Sequence, residues 1–384
     1  MTQDLTSEEL LALVQRVFLP GPGDKGLAIL VDLPDAVVPD DAAWIARRAT
    51  AQAWAEALDS RAAELGFPTC LILYPNVHTN NGDMPACGWI HAGGPLPDSA
   101  EALAPERGVP FPELYARNTI LLALTHFSST APLKMAARTF PIRAATMPGF
   151  CLGMVPALRL DYTEVNRRVL LLKGLLDRAT GARLLFRHPG GDARLNLDLR
   201  FRSGHASGGL LPLAGVAGNL PSGEAYTVPY EGERPGEPSR TEGMLPVQFG
   251  EEVVLYRIQG NVAVAVVPGG PESVREAAHL AAEPAYGNLA ELGLGVLAMF
   301  GVKPIGQVLL DEKLGLHIAF GRSEHFGGQV GPAQFSSPEA VVHIDRVYVP
   351  ETQPDIQVLS LDLDLEDGTA LPLMRDGKYV LDFA

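Results

Sequence analysis

Cysteine is scarce: Cys70, Cys87 and Cys151 are the only three in 384 residues. The count is odd and no two share a CxxC spacing, so the chain offers neither a disulfide framework nor a thiolate zinc site, and a reducing cytoplasm fits it best. Positive charge is short as well. Thirty Lys and Arg stand against 45 Asp and Glu, a formal net charge of −15, with no basic tract or basic helix face. A phosphate-backbone partner needs clustered cations, so nucleic acid is not expected, and the acidic excess reads as solvation. Long apolar runs are missing too: the stretch 289–310 is broken by Glu291, Lys303 and Pro304, which leaves no membrane segment. The N-terminus is acidic, with a helix start at Thr6-Ser7-Glu8-Glu9, where a secretory signal would need basic residues before an apolar core.

What is present suffices for folding. Hydrophobic residues make up 47% of the chain and charged residues 20%, and 384 residues exceed the roughly 250–300 at which single cores stop growing. Two domains are expected. Over 1–165, helical patterns near 7–18, 40–65 and 131–139 alternate with apolar runs at 27–32, 70–74 and 119–124, which suggests βαβ units and an α/β N-terminal domain. Over 166–384, a helix from Asp161 gives way to strand-like runs at 182–187, 193–201, 252–258 and 261–267, with a Pro/Gly-rich charged loop at 229–242 and a terminal hairpin framed by turns at 364–368 and 376–377. This is an α+β domain with a mixed, largely antiparallel sheet.

Chemistry concentrates in that second domain. Within Val341-Val342-His343-Ile344-Asp345-Arg346-Val347, a strand would send His343 and Asp345 to the same face. An imidazole and a carboxylate so paired suit a divalent metal, and the sheet is expected to carry a metal site. Glu224, Glu291 and His317, each in a Gly-rich or apolar segment, extend the pair to a possible five-ligand set. Taken singly each has a plainer reading: Glu224 begins a strand, Glu291 opens a helix, His317 is a satisfied core histidine, and HxD recurs by chance. His78, His205 and His279 read as loop or structural residues, and Asp192 and Arg202 as turn or cleft residues.

Four segments, Gly218-Asn219-Leu220-Pro221-Ser222-Gly223-Glu224, Asn288-Leu289-Ala290-Glu291-Leu292-Gly293, Asp311-Glu312-Lys313-Leu314-Gly315-Leu316-His317 and His343-Ile344-Asp345, stand in an order that resembles the aminopeptidase T family of dinuclear metallopeptidases, over roughly residues 160–384. By matching position, the resemblance implies Glu224, Glu291, His317, His343 and Asp345 as ligands of two divalent ions, Zn, Co or Mn. Such ions, about 3.5–4 Å apart, would activate water against the carbonyl of an N-terminal peptide bond or small amide. A homodimer is the assembly the resemblance implies. One position departs: the family's tyrosine, seven residues past the histidine matched by His317, falls here at Glu324, followed by His325. Glu324 and His325, with Glu224, are therefore the candidate catalytic residues, while an exposed-loop reading of the pair stays open.

Two other classes compete. A mononuclear Fe(II) ring-cleaving dioxygenase resembling 2,5-dihydroxypyridine 5,6-dioxygenase would keep the HxD strand and use two histidines and one carboxylate. An inactive peptide-binding homologue would explain the lost tyrosine.

Overall fold

A computed structural model describes residues 4–383. Two compact units emerge: residues up to Asn166 together with Gly209–Ser222, and Arg167–Gly208 together with the residues from Gly223 onward. The boundary expected at 165/166 falls inside the helix Tyr162–Leu176. The chain then returns to the first unit at Gly209–Ser222, because Val216–Asn219 lies parallel to Arg143–Thr146 at one edge of that unit's sheet.

The first unit is built on a seven-stranded sheet in the order Val216–Asn219, Arg143–Thr146, Ile120–Ala123, Leu27–Leu33, Thr69–Pro75, Cys87–Ile90, Val109–Pro110. The first five are parallel, and Cys87–Ile90 turns antiparallel. All seven residues of Leu27–Leu33 are buried, as expected for a parallel strand covered on both faces, which is why it is apolar except at Asp32, whose carboxylate accepts from the His126 and Phe127 amides. The helix Ser7–Phe18 opens on the capping box of Thr6 and Glu9. The helical stretch expected at 40–65 is two pieces, Ala42–Asp59, capped by Asp41, and Ala62–Leu65.

The second unit holds two antiparallel sheets. One has eight strands in the order Val262–Val266, Glu252–Gln259, Glu242–Phe249, Gly191–Asp198, Ala179–His188, Gln357–Leu365, Ala370–Arg375, Lys378–Tyr379. The other has five, in the order His343–Val347, Leu316–Gly321, Leu289–Gly295, Glu224–Thr227, His205–Ser207. Phe320 of the smaller sheet packs on Tyr256 of the larger, ring centres 5.1 Å apart, so one face of the smaller sheet is core and the other is free for chemistry. Among the described residues no helix is long and apolar enough to cross a membrane.

A buried ion pair ties the first unit's sheet to its neighbouring loops. The Arg143 guanidinium bonds the Asp24 carboxylate, the Phe18 carbonyl and, at 3.3 Å, the Pro212 carbonyl, and Thr119 Oγ1 donates to Asp24 at 2.7 Å. Burial pushes the Asp24 carboxyl up, but the hydrogen bonds from Arg143, Gly21 and Thr119 outweigh it and hold it below the ordinary carboxylate value. Removing one partner of a buried pair leaves the other charge uncompensated. We expect Arg143→Met to lower the unfolding free energy by about 3 kcal/mol, read as a lower urea midpoint. Because the Asp24 pKa is depressed in the folded state, its contribution is complete above the ordinary carboxylate value and fades as pH falls below it. Stability of the variant should therefore fall less steeply on acidification.

Candidate metal centre

The register of the five-stranded sheet decides which side chains meet. Asp345 pairs with Ala319 and Ala319 with Glu291, while His343 pairs with Gly321, His317 with Gly293, Gly293 with Tyr226, and Gly295 with Glu224. Because paired residues share a face, Glu224, Glu291, His317, His343 and Asp345 all project from the same face of one sheet. Glu291 thus sits in mid-strand beside a bulge, not at a helix start. Glycines on this face make the room. A Cβ on Gly293 would lie 1.8 Å from His317 Nε2, so the imidazole occupies the space that any other residue would fill, and a Cβ on Gly295 would strike the Lys313 backbone at 2.3 Å.

The five side chains converge. His317 Nε2 lies 3.3 Å from Glu291 Oε1 and 3.5 Å from Glu224 Oε2, and His343 Nε2 lies 3.2 Å from Glu291 Oε2 and 3.5 Å from Asp345 Oδ1. Two groups able to hold a cation result, Glu224–Glu291–His317 and Glu291–His343–Asp345, with Glu291 common to both. The far ring nitrogens face carbonyls: His317 Nδ1 is 3.3 Å from Gly315 O, and His343 Nδ1 is 2.8 Å from Arg322 O. A ring nitrogen held this way carries its proton and leaves Nε2 as the free donor atom for a metal.

Electrostatics follow from packing these groups in a dry site. Burial pulls the His317 imidazole down, but Glu291, Glu224 and Asp345 outweigh it and raise it to about 9. His343 is likewise raised against burial by Asp345 and Glu291. Burial pushes Glu291 and Asp345 up, and the facing imidazoles bring both well down. Without a cation, the histidines themselves neutralise the carboxylates.

Two further residues belong to this cluster and went unassigned in the sequence. Lys313, 2% exposed, bonds Glu224 Oε1 at 2.5 Å and also the Glu312 carboxylate. Burial pushes the Glu312 carboxyl well up in spite of Lys313. The available signal was Asp311-Glu312-Lys313 itself, three charges between apolar runs, with Asp311 capping the Ile305 and Gly306 amides at 2.9 Å.

The other candidates are distributed differently. The Glu324 carboxylate is held by the Arg322 guanidinium at 2.6 and 2.7 Å, away from the ligand groups. The His325 ring stands edge-on to His343 with centres 5.4 Å apart; desolvation, then the charges of His343 and Arg322, pull its imidazole down to about 4, so it is neutral at pH 7. His205 shares the ligand face but stacks on Tyr226, 5.1 Å away. Elsewhere in the second unit, His279 stacks on Tyr286 and Asp192 pairs with Arg187. Arg202 pairs with Glu233 and donates to Gly327 O at 3.2 Å. In the first unit, His78 pairs with Asp35 at 2.6 Å.

Fold and site together define a two-unit α/β protein with three carboxylates and two imidazoles gathered into two groups that could hold a cation. Comparison with known proteins carries this further. The chain is similar to aminopeptidase T of Thermus aquaticus, 30% identical over 246 residues, which is 57% of this chain and 54% of that protein. It is 28% identical to aminopeptidase T of Thermus thermophilus over 188 residues, 42% of this chain and 40% of that protein. The chain thus spans about half the length of these relatives or less. No family model matches it. Among solved structures, 2,5-dihydroxypyridine dioxygenase from Pseudomonas putida KT2440 superposes with a TM-score of 0.58 at 18% identity, covering 99% of both chains. Wild-type AmpT from Thermus thermophilus superposes with a TM-score of 0.51 at 19% identity, covering 98% of this chain and 99% of that one. Both share the fold. The chain is aminopeptidase T-like over part of its length, as the order of its motifs suggested.

Gly293 supplies the check on this geometry. Gly293→Ala should drive the His317 ring from its place and lower the melting temperature by several degrees. Gly174→Ala, in the helix Tyr162–Leu176 where a Cβ would meet nothing within 4 Å, should leave it unchanged or slightly higher.

Proposed function

We propose that this protein is a metal-dependent, aminopeptidase-like hydrolase whose second unit holds two divalent cations, Zn, Co or Mn, and cleaves an N-terminal peptide or small amide bond. The observation that carries the reading is Glu291, whose two carboxylate oxygens face two different histidines and so belong to two ligand groups at once. The residues fit the ions. Glu224 Oε2 and Asp345 Oδ1 are buried with no hydrogen-bond partner among the described residues, an expensive state for carboxylate oxygens that a cation relieves. Carboxylates outnumber the single ammonium, and mixed Glu, Asp and His donors suit zinc, cobalt or manganese.

Divalent cations bound here would polarise a carbonyl and bring a coordinated water's pKa near neutral. The protein's own groups prepare that chemistry. Glu224 Oε2, Glu291 Oε1 and His317 Nε2 would hold one ion; Glu291 Oε2, His343 Nε2 and Asp345 would hold the other. Lys313 fixes Glu224 through Oε1 and leaves Oε2 free. The Gly315 and Arg322 carbonyls keep the histidine protons on Nδ1. Beside the position of the family's tyrosine, the His325 ring stands against His343 while Glu324 is turned to Arg322, so His325 is the residue that would accept or pass on a proton. Glu324 would act by holding Arg322.

One observation favours a second reading: the dioxygenase superposes over 99% of both chains. A single iron held by His317, His343 and Glu291 would leave open positions for oxygen. Metal analysis separates the two. We expect two zinc-, cobalt- or manganese-type ions per chain, release of amino acid from aminoacyl anilides, loss of turnover with chelator and its return on adding metal. Glu291→Ala should cut kcat/KM by about 10³-fold or more and reduce the metal content, with the melting transition kept. One iron per chain with oxygen uptake would replace the hydrolase reading, and full turnover in Glu291→Ala would end it.

A further inference from the structure

The face that carries the ligands also carries aromatic rings. Tyr226 lies two residues beyond Glu224 and directly across from Gly293. Phe326 meets the Tyr226 ring edge-on at 4.8 Å, lies 3.9 Å from the His325 ring, and reaches the His343 ring at 5.5 Å. Tyr226 and His343 stand on strands separated by Leu289–Gly295 and Leu316–Gly321, the two that bear Glu291 and His317. A ring in contact with both therefore lies across the ligand strands. The loop that presents it is fixed: His205 Nε2 is 3.0 Å from Phe326 O, and Arg202 holds Gly327 O.

These rings are not core. Tyr226 and Phe326 are half-buried and His325 is exposed. A partly open aromatic surface thus borders a cluster of carboxylates. The cluster determines where a scissile carbonyl must sit; the group beside that carbonyl is the side chain of the substrate's first residue.

We propose that Tyr226, Phe326 and His325 form the side-chain subsite of this centre and that it takes substrates whose amino-terminal residue is aromatic or large and aliphatic. This rests on the hydrolase reading and adds the substrate class to it. Burying a phenyl group in place of a methyl is worth at least tenfold in selectivity. The test compares metal-loaded protein acting on phenylalanyl and alanyl anilides, and measures binding of L-phenylalanine and L-alanine by calorimetry. Wild type should favour the phenylalanyl substrate in kcat/KM by tenfold or more. Phe326→Ala should reduce that ratio at least tenfold, and Phe326→Leu should restore part of it. Wild-type turnover without such preference, or a ratio untouched by Phe326→Ala, overturns the subsite and leaves the hydrolase standing. If no anilide is cleaved, the hydrolase reading falls, and calorimetry decides the subsite: selective binding of L-phenylalanine that Phe326→Ala abolishes supports it, and equal or absent binding overturns it.

Discussion

The burial of three carboxylates on one sheet face sets the terms for the rest of the second unit. Burying Glu224, Glu291 and Asp345 in a dry environment costs far more than any one hydrogen bond returns. The surrounding structure is organised to offset it: buried Lys313 bonds Glu224, His317 is laid over a glycine, and His343 is locked by a backbone carbonyl. The opposite face answers a different demand. Leu292, Leu294, Ile318 and Phe320 are fully buried there, so the same strands that carry ionised groups on one side are clamped into a core on the other. A candidate ligand set on strands held this way has little freedom to drift.

How much of this could be read from the chain depended on range. His343 and Asp345 fall on one face because strand alternation is local, and two residues suffice to see it. The capping box at Thr6 and Glu9 is local as well. Glu224, Glu291 and His317 were legible only through the order of their motifs, because nothing within ten residues of any of them announces a partner on another strand. Lys313 escaped for the same reason: Glu224, one of its two carboxylate partners, lies 89 positions away. Arg143–Thr146 and Val216–Asn219 were missed because Arg-Ala-Ala-Thr and Val-Ala-Gly-Asn have weak strand preference, and their conformation comes from the strands beside them. The expected helix over 40–65 broke near Ser60 and Arg61, where the chain makes a turn that an Ala-rich pattern conceals.

Glycine carries much of the information in the site. Gly293 and Gly295 look like weak points in a strand by composition, since they lose more chain entropy than any other residue and offer nothing to pack. In the folded sheet they are recesses, one filled by an imidazole and the other by a passing backbone. The motif containing Glu291 is therefore as much a specification of empty volume as of a carboxylate.

The path of the chain has a consequence of its own. After entering the second unit at Arg167, the polypeptide goes back to add Val216–Asn219 to the first unit's sheet and resumes the second only at Gly223, one residue before Glu224. No single peptide bond divides the molecule into its two halves. Proteolysis or truncation anywhere between them would strand either an edge strand or the segment leading into Glu224, so neither unit can be cut free as one continuous piece of chain.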